Sequence, residues 1–134
     1  MAYDQFCDAY DKEDVEKLMI VVQSLRIATG LKDSNVTPKM VIEMGIVPKV
    51  LEFLQEKFSA MSKLQSESAW LIANISSGDI HDIMHLIEKG ALVTLIACVK
   101  SKNEDLQENV FFYEEKELFN RFLIGNVGIS EYSN

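Results

Sequence analysis

Apolar residues recur at three- and four-residue spacing in one stretch after another along this chain, and single glycines separate the stretches. Residues 13–29 carry Val15, Leu18, Met19, Val22, Leu25 and Ile27 in that rhythm and stop before Gly30. The spacing predicts an amphipathic helix. Thr37 followed by Pro38 offers a cap and a proline in the first helical turn, opening a short helix through Met44 that Gly45 stops. Pro48 opens another through Ser59. Residues 64–77 predict a third helix closed by Gly78, and residues 79–89 a short one closed by Gly90. A helix over 91–101 follows, then a stretch from 104 whose tail, 125–128, is poor in helix formers. Residues 1–12 are acidic and read as a disordered start.

The order is short helix, glycine, helix, loop, long helix, glycine, and it begins again. Glu43-Met44-Gly45-Ile46-Val47 and Glu88-Lys89-Gly90-Ala91-Leu92 share an acidic helix end, one residue, a glycine and an apolar restart, 45 residues apart. A second echo relates residues 64–70 to residues 106–112, at a separation of 42. Periods of ~40–47 residues with two or three helices per unit are those of armadillo and HEAT solenoids. The expected fold is therefore all-α, a right-handed α-solenoid of two to three repeats. After the start at 1–12, one domain over 13–134 divides into a helix at 13–29, a repeat at 37–78 and a repeat at 79–128. Each unit of such an array buries its apolar face against its neighbours, which leaves an elongated, ridged surface.

The third helix has two distinct faces. With 100° per residue and Trp70 at zero, Leu64, Ser68, Leu71, Ile72 and Ile75 fall between about 100° and 200° and form the core stripe. Lys63, Glu67, Trp70, Asn74 and Ser77 fall within about 60° of zero. A large aromatic among polar residues is an unexpected placement for a core side chain. It points to an exposed aromatic shelf beside an amide.

Charge adds a sign to that surface. Thirteen Lys and Arg against 21 Asp and Glu leave a net charge of −8, which argues against a nucleic-acid backbone as ligand and for a basic partner. The two cysteines, Cys7 and Cys98, are too few for a disulfide framework or a closed zinc site. With no basic-then-apolar leader at the start, a reducing compartment is expected. No window offers the ~20 apolar residues of a membrane-spanning helix.

Residues 67–78, Glu-Ser-Ala-Trp-Leu-Ile-Ala-Asn-Ile-Ser-Ser-Gly, closely resemble the third helix of an importin-alpha armadillo repeat. Gly45-Ile46-Val47-Pro48-Lys49 is similar to that family's turn between first and second helices, and residues 122–128 resemble the next copy of the third helix. The resemblance implies an adaptor for nuclear protein import, in cytoplasm and nucleus, that binds lysine- and arginine-rich nuclear localisation signals in an acidic concave groove. It implies Trp70 as a shelf for a lysine stem, Asn74 as a clamp on the cargo main chain, Glu67 as an acidic contact and Ser77 beside them. In the second repeat it implies Phe122 and Asn126, with Glu108 and Asn109 nearer the repeat's opening. The chemistry suits these types: residues four apart adjoin on a helix, and an amide both donates and accepts.

Three departures from the family pattern bear on that reading. Phe112 keeps the 42-residue register with Trp70 yet lies fourteen residues before Asn126, so an insertion of ten residues is expected near 113–122. Phenylalanine replaces tryptophan at Phe122, and Ile83 stands where the family often has a threonine facing cargo. The family's basic amino-terminal arm has no counterpart in the acidic first seventeen residues, which argues against a beta-type importin as partner and for a truncated relative with a fraction of the groove.

Other chemistry has weaker support. His81 and His85 stand four apart, a spacing helices use for metal ligands, but a zinc site needs a third ligand and a cleft. They read as surface histidines, with no metal and no cofactor. No nucleophile, base and cleft converge, so an enzyme is not expected. A generic armadillo scaffold that has lost cargo binding is the alternative to the adaptor, and uncapped solenoid ends are expected to self-associate.

Overall fold

Side-chain caps mark where three of the helices begin. A computed structural model describes residues 2–31, 33–91, 93, 94 and 97. Among the described residues the elements are α1 (Ala2–Asp11), α2 (Val15–Gly30), α3 (Pro38–Glu43), α4 (Val47–Glu52), a 3₁₀ turn (Glu56–Phe58), α5 (Ser62–Ile75) and α6 (Ile80–Glu88). Asp14 accepts from the Lys17 amide at 3.1 Å, and Thr37 from the Met40 amide at 3.2 Å with Pro38 following it. Asp79 and Asp82 each accept from the other's backbone amide, at 3.0 and 3.2 Å, a reciprocal capping box. These bonds satisfy first-turn amides that have no partner inside the helix.

The fold is the expected all-α array of a few repeats. α3, α4 and α5 make one three-helix unit, α6 opens the next, and α2 packs along α5 as its main neighbour. Leu18, Val22 and Leu25 of α2 share one core with Val47, Val50 and Leu51 of α4 and with Leu64, Leu71, Ile72 and Ile75 of α5. Gly45 and Gly90 occupy the left-handed region, at φ +75° and +88°. The 45-residue echo is thus a repeated corner: each short helix ends on a backbone conformation that costs an L-residue about 1–2 kcal/mol and glycine almost nothing.

Three expectations need correction. The acidic start is a helix, α1, whose Phe6 and Ala9 are buried while Asp4, Gln5 and Asp11 face water. Its acidity lies on one side; the other carries an aromatic cluster, with Phe6 and Tyr10 centroids 6.0 and 6.2 Å from Phe53, and Phe53 5.3 Å from Phe58. Tyr10 donates to Glu52 Oε2 at 2.8 Å, and the Lys49 ammonium lies 4.5 Å from the Tyr10 ring centroid. The helix opened by Pro48 ends at Glu52 rather than Ser59. Gln55 turns extended, at ψ 159°, and its carbonyl accepts at 2.9 Å from the buried Gln65 side chain as well as at 3.0 Å from the Phe58 amide, a tertiary bond added to the turn. Ile27, placed on the apolar face of α2, is 46% exposed, because the buried stripe runs through Leu18, Val22 and Leu25 instead.

Gly45→Ala should cost about 1–2 kcal/mol, wholly conformational since an added Cβ at Gly45 meets nothing within 4 Å. Urea unfolding should show the lower midpoint with an unchanged slope. A second expectation concerns acid. The Lys57 ammonium at 2.8 Å, and after it the Tyr10 hydroxyl, hold the Glu52 carboxyl below its ordinary range. A lowered folded-state value stabilises the fold above the unfolded-state pKa and is lost as pH falls through the folded one. Stability measured by urea unfolding should therefore drop between neutral pH and pH 3, and the drop should be smaller in Tyr10→Phe.

Candidate functional site

The winding of α5 separates its residues as the sequence predicts. Leu64, Ser68, Leu71, Ile72 and Ile75 are buried, whereas Trp70 is 41% exposed, Asn74 half-buried and Lys63 and Ser77 exposed. Trp70 and Asn74 thus share one face, a helical turn apart. The helix is held in place by its apolar stripe, so the polar face is left over for other use.

Glu67 departs from that picture. Expected as an open acidic contact beside Trp70, it is only 7% exposed, and its carboxylate is paired with Arg26 of α2. Arg26 Nε donates to Glu67 Oε2 at 2.7 Å and Nη2 to Oε1 at 3.0 Å, a two-pronged pair, while Gln23 Nε2 donates to Oε1 at 3.3 Å. The reason is the neighbouring helix: α2 covers the side of α5 on which Glu67 lies, and a single-helix projection contains no neighbours. The same guanidinium lies over Trp70, its central carbon 3.9 Å from the ring centroid. Contacts of this kind contribute ~0.5–2 kcal/mol, more as water is excluded.

Asn74 also reaches α2. Its Nδ2 donates to the Arg26 carbonyl at 2.8 Å and to Thr29 Oγ1 at 3.4 Å, leaving Oδ1 without a hydrogen bond among the described residues. Gly30 permits this approach, since a Cβ there would stand 3.3 Å from Nδ2. Ser77 Oγ donates to the Asn74 carbonyl at 2.6 Å. Trp70, Asn74 and Glu67 therefore converge on one residue, Arg26, which sequence reasoning missed. A signal for it existed: Arg26 stands 44 residues before Trp70, within the repeat period, at the place on α2 that tryptophan holds on α5.

The remaining expected residues separate cleanly. Ile83, placed toward cargo by the resemblance, is 2% exposed and belongs to the core, because α6 turns that face inward. His81 is exposed and His85 half-buried on α6. Among the described residues no three His, Cys, Asp or Glu side chains gather to hold a metal ion. Phe122, Asn126, Glu108 and Asn109, with the insertion expected near 113–122, lie outside the described residues.

A carboxylate this enclosed is tolerated because it is paired and hydrogen-bonded, and removing one partner strands the other charge. Arg26 is itself only 16% exposed. Glu67→Ala should therefore destabilise the fold by about 3 kcal/mol, near the low end for broken buried pairs, and Glu67→Gln by less. Chemical unfolding followed by circular dichroism measures both.

Residues 34–77, which run from before α3 to just past α5, match the Armadillo/beta-catenin-like repeat family. The chain is 38% identical over 68 residues to importin subunit alpha-3 of Arabidopsis thaliana, covering 51% of this chain and 12% of that protein. It is 36% identical over 67 residues to importin subunit alpha-8 of Mus musculus, covering 49% and 13%, and 34% over 76 residues to importin subunit alpha-7 of Arabidopsis thaliana, covering 57% and 14%. The shared stretch spans about an eighth of these relatives, and the three-helix unit with its corner at Gly45 lies within the residues that the family match covers. Residues 34–77 thus carry an armadillo repeat, and the chain is similar over about half of its length to a part of the importin alpha subunits.

Proposed function

We propose that this chain is an importin-alpha-like adaptor whose Trp70–Asn74 face binds lysine- and arginine-rich peptides of the nuclear-localisation type. The observation that carries this reading is the half-exposed Trp70 with a guanidinium already lying on its ring. A shelf that holds one basic side chain has the shape and the quadrupole to hold another. Asn74 Oδ1 supplies an acceptor one turn away for a peptide N–H, and the overall charge of −8 attracts a cationic ligand. Residence in cytoplasm and nucleus follows from the same reading. So does a purely binding role without catalysis. In the second repeat, Phe122 and Asn126 would offer the matching pair, with Glu108 and Asn109 as further contacts.

A short lysine-rich peptide should bind weakly, with an affinity that falls as salt rises, because few pockets are available and much of the gain is electrostatic. Trp70→Ala should weaken binding by about 1–2 kcal/mol and Asn74→Ala by about 1–3 kcal/mol. His81→Ala should leave it unchanged, which separates peptide capture from a metal-dependent role. Fluorescence of Trp70, the single tryptophan, reads the wild-type and His81 titrations, and calorimetry the rest. If a folded Trp70→Ala, Asn74→Ala double variant binds the peptide as wild type does, the generic armadillo scaffold replaces the adaptor.

A further inference from the structure

We propose that Arg26 is a tethered occupant of the basic-side-chain site, so that an incoming lysine or arginine must displace it; this rests on the peptide-binding reading of the Trp70 face. Each group that a cationic ligand needs is engaged by this one residue. Trp70 stacks under its guanidinium, with 3.9 Å from Cζ to the ring centroid. Glu67 spends both carboxylate oxygens on it, at 2.7 and 3.0 Å. The Asn74 amide is fastened to its backbone carbonyl at 2.8 Å. Aromatic face, carboxylate and amide are the complement of an extended basic peptide residue, and here the residue they enclose belongs to the chain itself.

The position of Arg26 explains how the occupant is held. It stands on α2 at the repeat offset from Trp70, so the packing of α2 along α5 delivers the guanidinium onto the ring without any loop to order. An intramolecular competitor of this kind lowers apparent affinity by the fraction of time the site is open. Displacement is possible because Trp70 remains 41% exposed, and the outer part of its ring is the route by which a second cation arrives. The electrostatic balance also survives exchange: Glu67 passes from one cation to another and is never left without a partner.

The test uses the full chain and two variants, Arg26→Ala and Arg26→Gln, the latter keeping an amide donor toward Glu67 should the alanine variant fold poorly. Circular dichroism establishes that the variant titrated is helical. A hexalysine peptide should bind the variant at least about tenfold more tightly than wild type. Independently, millimolar methylguanidinium should shift the Trp70 emission of the variant saturably and raise its melting temperature, with neither change in wild type. Measurable hexalysine binding that is equal or weaker in a folded variant than in wild type, or no saturable response of the variant to methylguanidinium, overturns the proposal. If methylguanidinium fills the variant while hexalysine binds neither protein, the tethered occupant stands and the peptide-binding reading falls. If hexalysine binds both proteins equally, that reading stands and the tethered occupant falls.

Discussion

One carboxylate organises the Trp70 face of this protein. Glu67 sits on the side of α5 that α2 covers, and a charge removed from water there must be paired and hydrogen-bonded. Arg26 supplies the pair, and in doing so its guanidinium is brought over the Trp70 ring while its carbonyl is brought to Asn74. Asn74 adds a second polar reference point between α2 and α5, bonded to the Arg26 carbonyl and the Thr29 hydroxyl, beside an apolar stripe of leucine, isoleucine and valine. The apolar core decides that the two helices meet, and the Arg26–Glu67 pair decides how.

The same division runs through the rest of the fold. Caps at Asp14, Thr37 and Asp79 fix where helices begin, and the left-handed glycines at 45 and 90 fix where the short ones turn. Between those points burial does the holding. The aromatic cluster of Phe6, Tyr10, Phe53 and Phe58 extends this holding to α1, whose charges alone would have left it in solution. Asp8 reinforces it from outside, bonded to Lys17 at 3.0 Å and to Lys12 at 2.9 Å, although exposed pairs of this sort add little.

Much of the fold was legible in local signals. Helix starts and the glycine corners are set by residues adjacent to them, and the two arcs of α5 follow from its own periodicity. The resemblance to importin-alpha repeats located Trp70 and Asn74 on that helix. What was not legible depended on partners distant in sequence. Phe6 needs Phe53 to be a core residue, the extended Gln55 is held by a bond from Gln65 ten residues on, and Glu67 is enclosed because α2 lies against it with Arg26, 41 residues upstream, facing it. Ile83 shows the reverse error, in which a family's outward position has become an inward one. A projection of one helix contains its own faces and none of its neighbours.

The bonds from Arg26 and Asn74 that close the site are also the polar seam between two successive long helices of the array. The distance by which those helices splay sets the curvature of the solenoid at this joint. Stiffness and surface chemistry therefore share the same atoms here.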